Sequence, residues 1–63
     1  MKKFNYETLV NDTNDIKAEY GILEQHEFTK RLAHKGWTVT RYREIFIDIK
    51  DFQTFIKENS ITA

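Results

Sequence analysis

At 63 residues the chain has room for one domain, residues 1–63, and a chain this short buries only ~60% of the surface its unfolded state exposes. It has no cysteine, which excludes a disulfide framework and a thiolate metal site. No apolar run approaches the ~20 residues a membrane-crossing helix needs. The opening Met1-Lys2-Lys3-Phe4-Asn5-Tyr6-Glu7 is basic but lacks the apolar stretch of a signal peptide, so a cytoplasmic location is expected. Ten Lys and Arg balance ten Asp and Glu, yet the charge is unevenly spread. Between His26 and Arg43 lie Lys30, Arg31, Lys35, Arg41 and Arg43 against Glu27 alone, a net of +4, and the remainder carries −4. Such asymmetry creates a local attractive field for phosphate in a neutral molecule.

Residues 4–10 alternate Phe4 and Tyr6 with polar neighbours, which reads as a short edge strand or a ragged helix start. Asn11 or Asp12 is the expected N-cap of a first helix over about residues 12–20, with Asp12 and Asp15 at the positive end of its dipole. Ile16 and Tyr20 share a face of that helix, and Gly21 stands where a left-handed residue ends it. A second helix is expected over about 24–35, with Phe28 and Leu32 as its buried stripe. At ~100° per residue Lys30 then lies almost opposite that stripe, His26, Glu27 and His34 face outward, and Arg31 and Lys35 sit on the flank. Gly36 closes this helix as Gly21 closes the first.

Trp37-Thr38-Val39-Thr40-Arg41 and Ile45-Phe46-Ile47 read as two alternating strands, joined by a hairpin tip at Arg41-Tyr42-Arg43-Glu44 that lacks the usual Asn-Gly or Asp-Gly. Asp48 is the expected N-cap of a last helix, with Asp51 at the third helical position and Ile47 facing Phe52 as a staple. Phe52, Phe55 and Ile56 form its inner face, it ends near Asn59, and the tail Ser60–Ala63 is expected to fray unless Ile61 packs. Trp37 is expected in the core. The expected architecture is therefore α+β: helix, tight turn, helix, β-hairpin, helix, with an N-terminal strand as an optional addition.

This arrangement resembles the winged-helix excisionases of phages and conjugative transposons, within the wider MerR-like helix-turn-helix group. Ala18-Glu19-Tyr20-Gly21-Ile22 is similar to the end of that family's first helix, and Phe28-Thr29-Lys30-Arg31-Leu32-Ala33-His34-Lys35-Gly36 to its basic recognition helix. Arg41-Tyr42-Arg43-Glu44-Ile45-Phe46-Ile47 resembles the wing, and residues 47–56 the closing strand and helix. The resemblance covers about residues 12–59. It implies a DNA-binding accessory protein that binds and bends DNA and directs a tyrosine-type integrase toward excision, acting as a monomer in solution that packs cooperatively on its site.

On that reading His26, Thr29, Lys30, Arg31, His34 and Lys35 meet double-stranded DNA in the major groove, where Arg grips guanine O6 and N7. Arg41, Tyr42 and Arg43 at the wing tip reach the minor groove or backbone, and about five or six charge contacts make binding strongly salt dependent. Two alternatives stand beside it: a MerR-like transcriptional regulator with the same fold, and a small phage-type protein that modulates a host or viral protein through Phe4 and Tyr6. Catalysis is not expected. Ser60 is the only serine, His26 and His34 lack a third ligand at zinc spacing, and there is no phosphate loop. No metal and no cofactor are expected.

Overall fold

The computed structural model describes residues 2–61. Its elements are α1 (Tyr6–Tyr20), α2 (Gln25–His34), α3 (Val39–Ile45) and α4 (Ile49–Glu58). Among the described residues there is no strand; the nearest approach is one isolated parallel bridge, Glu24 to Ile61. The α+β winged architecture expected from the alternation is thus replaced by an all-helical one.

Helix α1 begins nearly two turns earlier than the Asn11–Asp12 cap suggests. Asn5 is the N-cap: its side chain accepts from the Thr8 amide at 2.9 Å, and the Thr8 hydroxyl accepts from the Asn5 amide at 2.9 Å. This reciprocal pair satisfies two orphan donors as a capping box does, with Thr in the place of the usual Glu or Gln. It overrides the Phe4/Tyr6 alternation. The buried positions of α1 are Leu9, Asp12, Thr13 and Ile16, a helical stripe whose two middle members are polar, and that disguises the period in the sequence. Gly21 ends the helix at φ 78°, its amide donating to the Lys17 carbonyl at 2.9 Å.

Helix α2 buries Phe28 and Leu32 against α1, as their spacing predicts. It unwinds through Lys35 and Gly36, whose amides return to the Leu32 and Ala33 carbonyls. Gly36 has φ 102°, and a Cβ there would lie 3.1 Å from the Phe4 ring. Glycine is needed here for backbone conformation and for this close approach.

The segment expected to form the wing is helix α3. Thr38 caps it, accepting from the Arg41 amide at 3.4 Å. The β-branched run Thr38-Val39-Thr40 favours a strand, but a strand would have to bury Val39, which is 64% exposed. The helix instead turns Tyr42, Ile45 and Phe46 inward at i, i+3 and i+4. No residue at 41–44 supplies the positive φ that a tight hairpin demands. Packing of three large side chains on one helical face wins over local β-propensity.

Helix α4 is capped by Asp48, which accepts from the Lys50 amide at 3.0 Å. The expected staple is absent, since Ile47 is fully exposed at 103%. Phe55 and Ile56 are buried and Phe52 packs against the core. The tail is held as far as Ile61: the Ser60 hydroxyl donates to the Ile56 carbonyl and the Ile61 amide to the Leu23 carbonyl at 2.8 Å. The Ile61 side chain stays outside, and Thr62 and Ala63 lie outside the described residues.

Two kinds of core result. Leu9, Ile16, Phe28 and Leu32 fill the seam between α1 and α2. Beyond it runs a ladder of rings: Phe4 edge-on to Trp37 (5.1 Å), Trp37 stacked on Tyr42 (5.7 Å), Tyr42 to Phe52 (4.4 Å), and Phe46 between Phe52 and Phe55. Burial pushes the Tyr42 hydroxyl up to about 12 from 10.0. Asp12 joins the two cores. Its carboxylate accepts from Trp37 Nε1 at 2.7 Å and from Lys2 Nζ at 2.5 Å, so this buried acid satisfies the indole donor and is itself charge-paired.

Candidate nucleic-acid interface

On α2, His26, Lys30 and His34 are exposed at i, i+4 and i+8, one stripe on the face opposite Phe28 and Leu32. The stripe spans about 12 Å of helix at 1.5 Å per residue. Among the described residues the one ion pair is Lys2 to Asp12, so Lys30 presents its full charge to solvent. Lys35 is half-buried at the C-terminal end of the stripe.

The other residues expected on this face are engaged elsewhere. The Thr29 hydroxyl lies 3.0 Å from both the Gln25 and His26 carbonyls and donates back into its own helix. The Arg31 guanidinium sits 4.4 Å from the Tyr20 ring centroid, a cation–π contact that ties α2 to the end of α1. Its Nε is buried without a partner. Half-buried Arg31 thus packs on Tyr20 at the flank of the stripe.

The wing residues are dispersed. Arg41 lies 3.6 Å over the Phe4 ring and donates from Nη1 to the Gly36 carbonyl. Tyr42 is in the ring ladder. Arg43 alone is exposed, and it lines a separate groove between α3 and α4. A hairpin tip would have presented all three together; the helix sends them in three directions about 100° apart.

In their place the fold supplies lysines from the start of the chain. Lys2 Nζ reaches the Lys35 carbonyl at 3.2 Å while pairing with Asp12, and exposed Lys3 follows it. The segment 2–4 crosses the α2–α3 turn, held by Phe4 against Trp37 and by the Lys2 bonds. In the sequence Lys2 and Lys3 read as a basic opening and belong to the part of the chain that is net acidic. The signal available was Phe4, an aromatic beside two lysines, which needs a packing partner.

His26 also opens onto a shallow groove between α2 and α4, with Gln25, Gln53 and Lys57 at its rim and Phe52 and Ile56 at its base. Among the described residues no cluster of three or more His, Asp or Glu side chains is placed to hold a metal ion. No described helix is long and apolar enough to cross a membrane. The outward face of α2 thus presents one lysine and two imidazoles to solvent. Comparison with protein-family models, with curated proteins and with solved structures gives no match.

Proposed function

We propose that the chain is a non-enzymatic DNA-binding domain that lays the outward face of α2 against duplex DNA. The observation that carries this is the His26, Lys30 and His34 stripe, flanked by Lys35, Lys2 and Lys3. A ten-residue helix fits a major groove ~12 Å wide. Lys30, at the middle of the stripe, meets base edges as a point donor to guanine O6 and N7, and the two histidines add hydrogen bonds. Lys35 and Lys3 at the turn contact phosphate and fix the register. The recombination role implied by the resemblance depends on a wing that this fold lacks, so the proposal stops at DNA binding.

Without Arg31, Arg41 and Arg43 the charge contacts fall to about three, Lys30, Lys35 and Lys3, so the logarithm of affinity should decline with the logarithm of salt at a slope of roughly −3. Fluorescence anisotropy with random-sequence duplex at low and moderate salt tests this. Lys30→Glu should reduce binding at least about tenfold, whereas Arg43→Glu, on a different groove, should change it little. Absence of binding at low salt, or equal loss in both variants, would sink the proposal.

A further inference from the structure

The least explained surface lies on α3 and α4. Val39, Tyr42, Phe46, Ile47, Ile49 and Phe52 line a groove between these helices. Three of these, Val39 (64% exposed), Ile49 (65%) and the fully exposed Ile47, are aliphatic side chains left in water. A solvent-facing aliphatic cluster rimmed by polar groups is the usual mark of an association site. Its rim carries one cation and one anion, Arg43 and Asp48. Both are exposed, and among the described residues neither makes an ion pair, not even with the other.

We infer that this groove is the contact surface of a homodimer, occupied by the same groove of a second copy. A two-fold contact brings position i of one copy to position j of the other and j to i. A surface with a single unpaired cation, a single unpaired anion and a branched aliphatic between them in sequence is complementary to itself under that operation. Arg43 of each copy meets Asp48 of its mate, and the two Ile47 side chains bury each other at the centre. One oxygen of Asp48 caps α4 by accepting from Lys50, and the other is left for the arginine. The formal net charge of zero removes the long-range repulsion that opposes association of like molecules. The inference uses none of the α2 stripe, so it stands or falls apart from DNA binding. It replaces the monomer that the family resemblance implied.

The test is sedimentation equilibrium of the full chain, without DNA, over about 1 µM to 1 mM. The wild type should pass from monomer to dimer within that range. Ile47→Asp should move the midpoint up by at least about tenfold and Arg43→Glu by less, since a central apolar anchor outweighs a rim charge. The Ile47 side chain is fully exposed in the monomer, so Ile47→Asp should keep the wild-type circular dichroism and melting temperature below the dimerisation midpoint. A wild type that stays monomeric throughout, or a dimer that Ile47→Asp leaves unchanged, would overturn the inference.

Discussion

The two halves of this molecule are stabilised by different means. The α1–α2 half is a short, mostly aliphatic seam between two consecutive helices whose ends are marked by Gly21 and Gly36. The α3–α4 half is a stack of rings that depends on residues far away: Phe4 for Trp37, Tyr6 for Phe46 and Phe55, and Asp12 for the indole proton. Local rules dominate in the first half and long-range packing in the second. The difference teaches that β-branched composition carries little weight where three large side chains can share a helical face.

Asp12→Ala should have the largest effect, because it acts where the halves meet. It strands a buried indole N–H and releases Lys2, a loss of about 3 kcal/mol. The near-ultraviolet dichroism of Trp37 should weaken with it. If urea unfolding shows a change below about 1 kcal/mol, the two halves are less dependent on each other than described.

The two glycines sharpen the contrast. Both have positive φ, and nothing lies within 4 Å of a Cβ added at Gly21, whereas one added at Gly36 meets the Phe4 ring at 3.1 Å. Backbone strain alone costs roughly 1–3 kcal/mol at such positions. Gly36→Ala should therefore destabilise more than Gly21→Ala, by about 1 kcal/mol for displacing a packed ring. Equal midpoints for the two variants in thermal unfolding would mean that Phe4 contributes little to closing the α3–α4 half.

A last effect is confined to alkaline solution. The Tyr42 hydroxyl is raised to about 12 in the folded chain from 10.0, so the unfolded state releases this proton first. The stability it contributes is complete below pH 10 and is lost as pH rises from 10 toward 12. Tyr42→Phe should flatten that part of the decline, measured as the urea midpoint at pH 8 and pH 11. A decline as steep in the variant as in the wild type would assign it to other groups.

The same contrast explains what could be read in advance. Phe28 and Leu32, the two glycine stops, buried Trp37 and the Asp48 cap follow from spacing and from one-residue chemistry, and all are found. The start of α1 is obscured because its buried stripe contains two polar residues, Thr13 and Asp12, and the burial of Asp12 depends on Trp37 and Lys2 being delivered from elsewhere. The wing was misread because Thr38, Val39 and Thr40 favour a strand locally, while the contacts that favour a helix involve Phe52 on α4 and, through Trp37, Phe4. Of the candidate interface, outward-facing Lys30, His26 and His34 were legible from period alone. The engagement of Arg31 by Tyr20 and of Arg41 by Phe4 was not, since a cation over a ring is set by tertiary placement and leaves no pattern in the sequence.

Trp37 is the single tryptophan of the chain, and it stands where Phe4, Asp12 and Tyr42 converge. The molecule therefore carries one intrinsic optical probe, placed where the ring stack, the buried Asp12 carboxylate and the N-terminal segment meet. A shift in indole emission reports loosening of that junction, and a ligand that draws Lys2 away from Asp12 is read by the same indole.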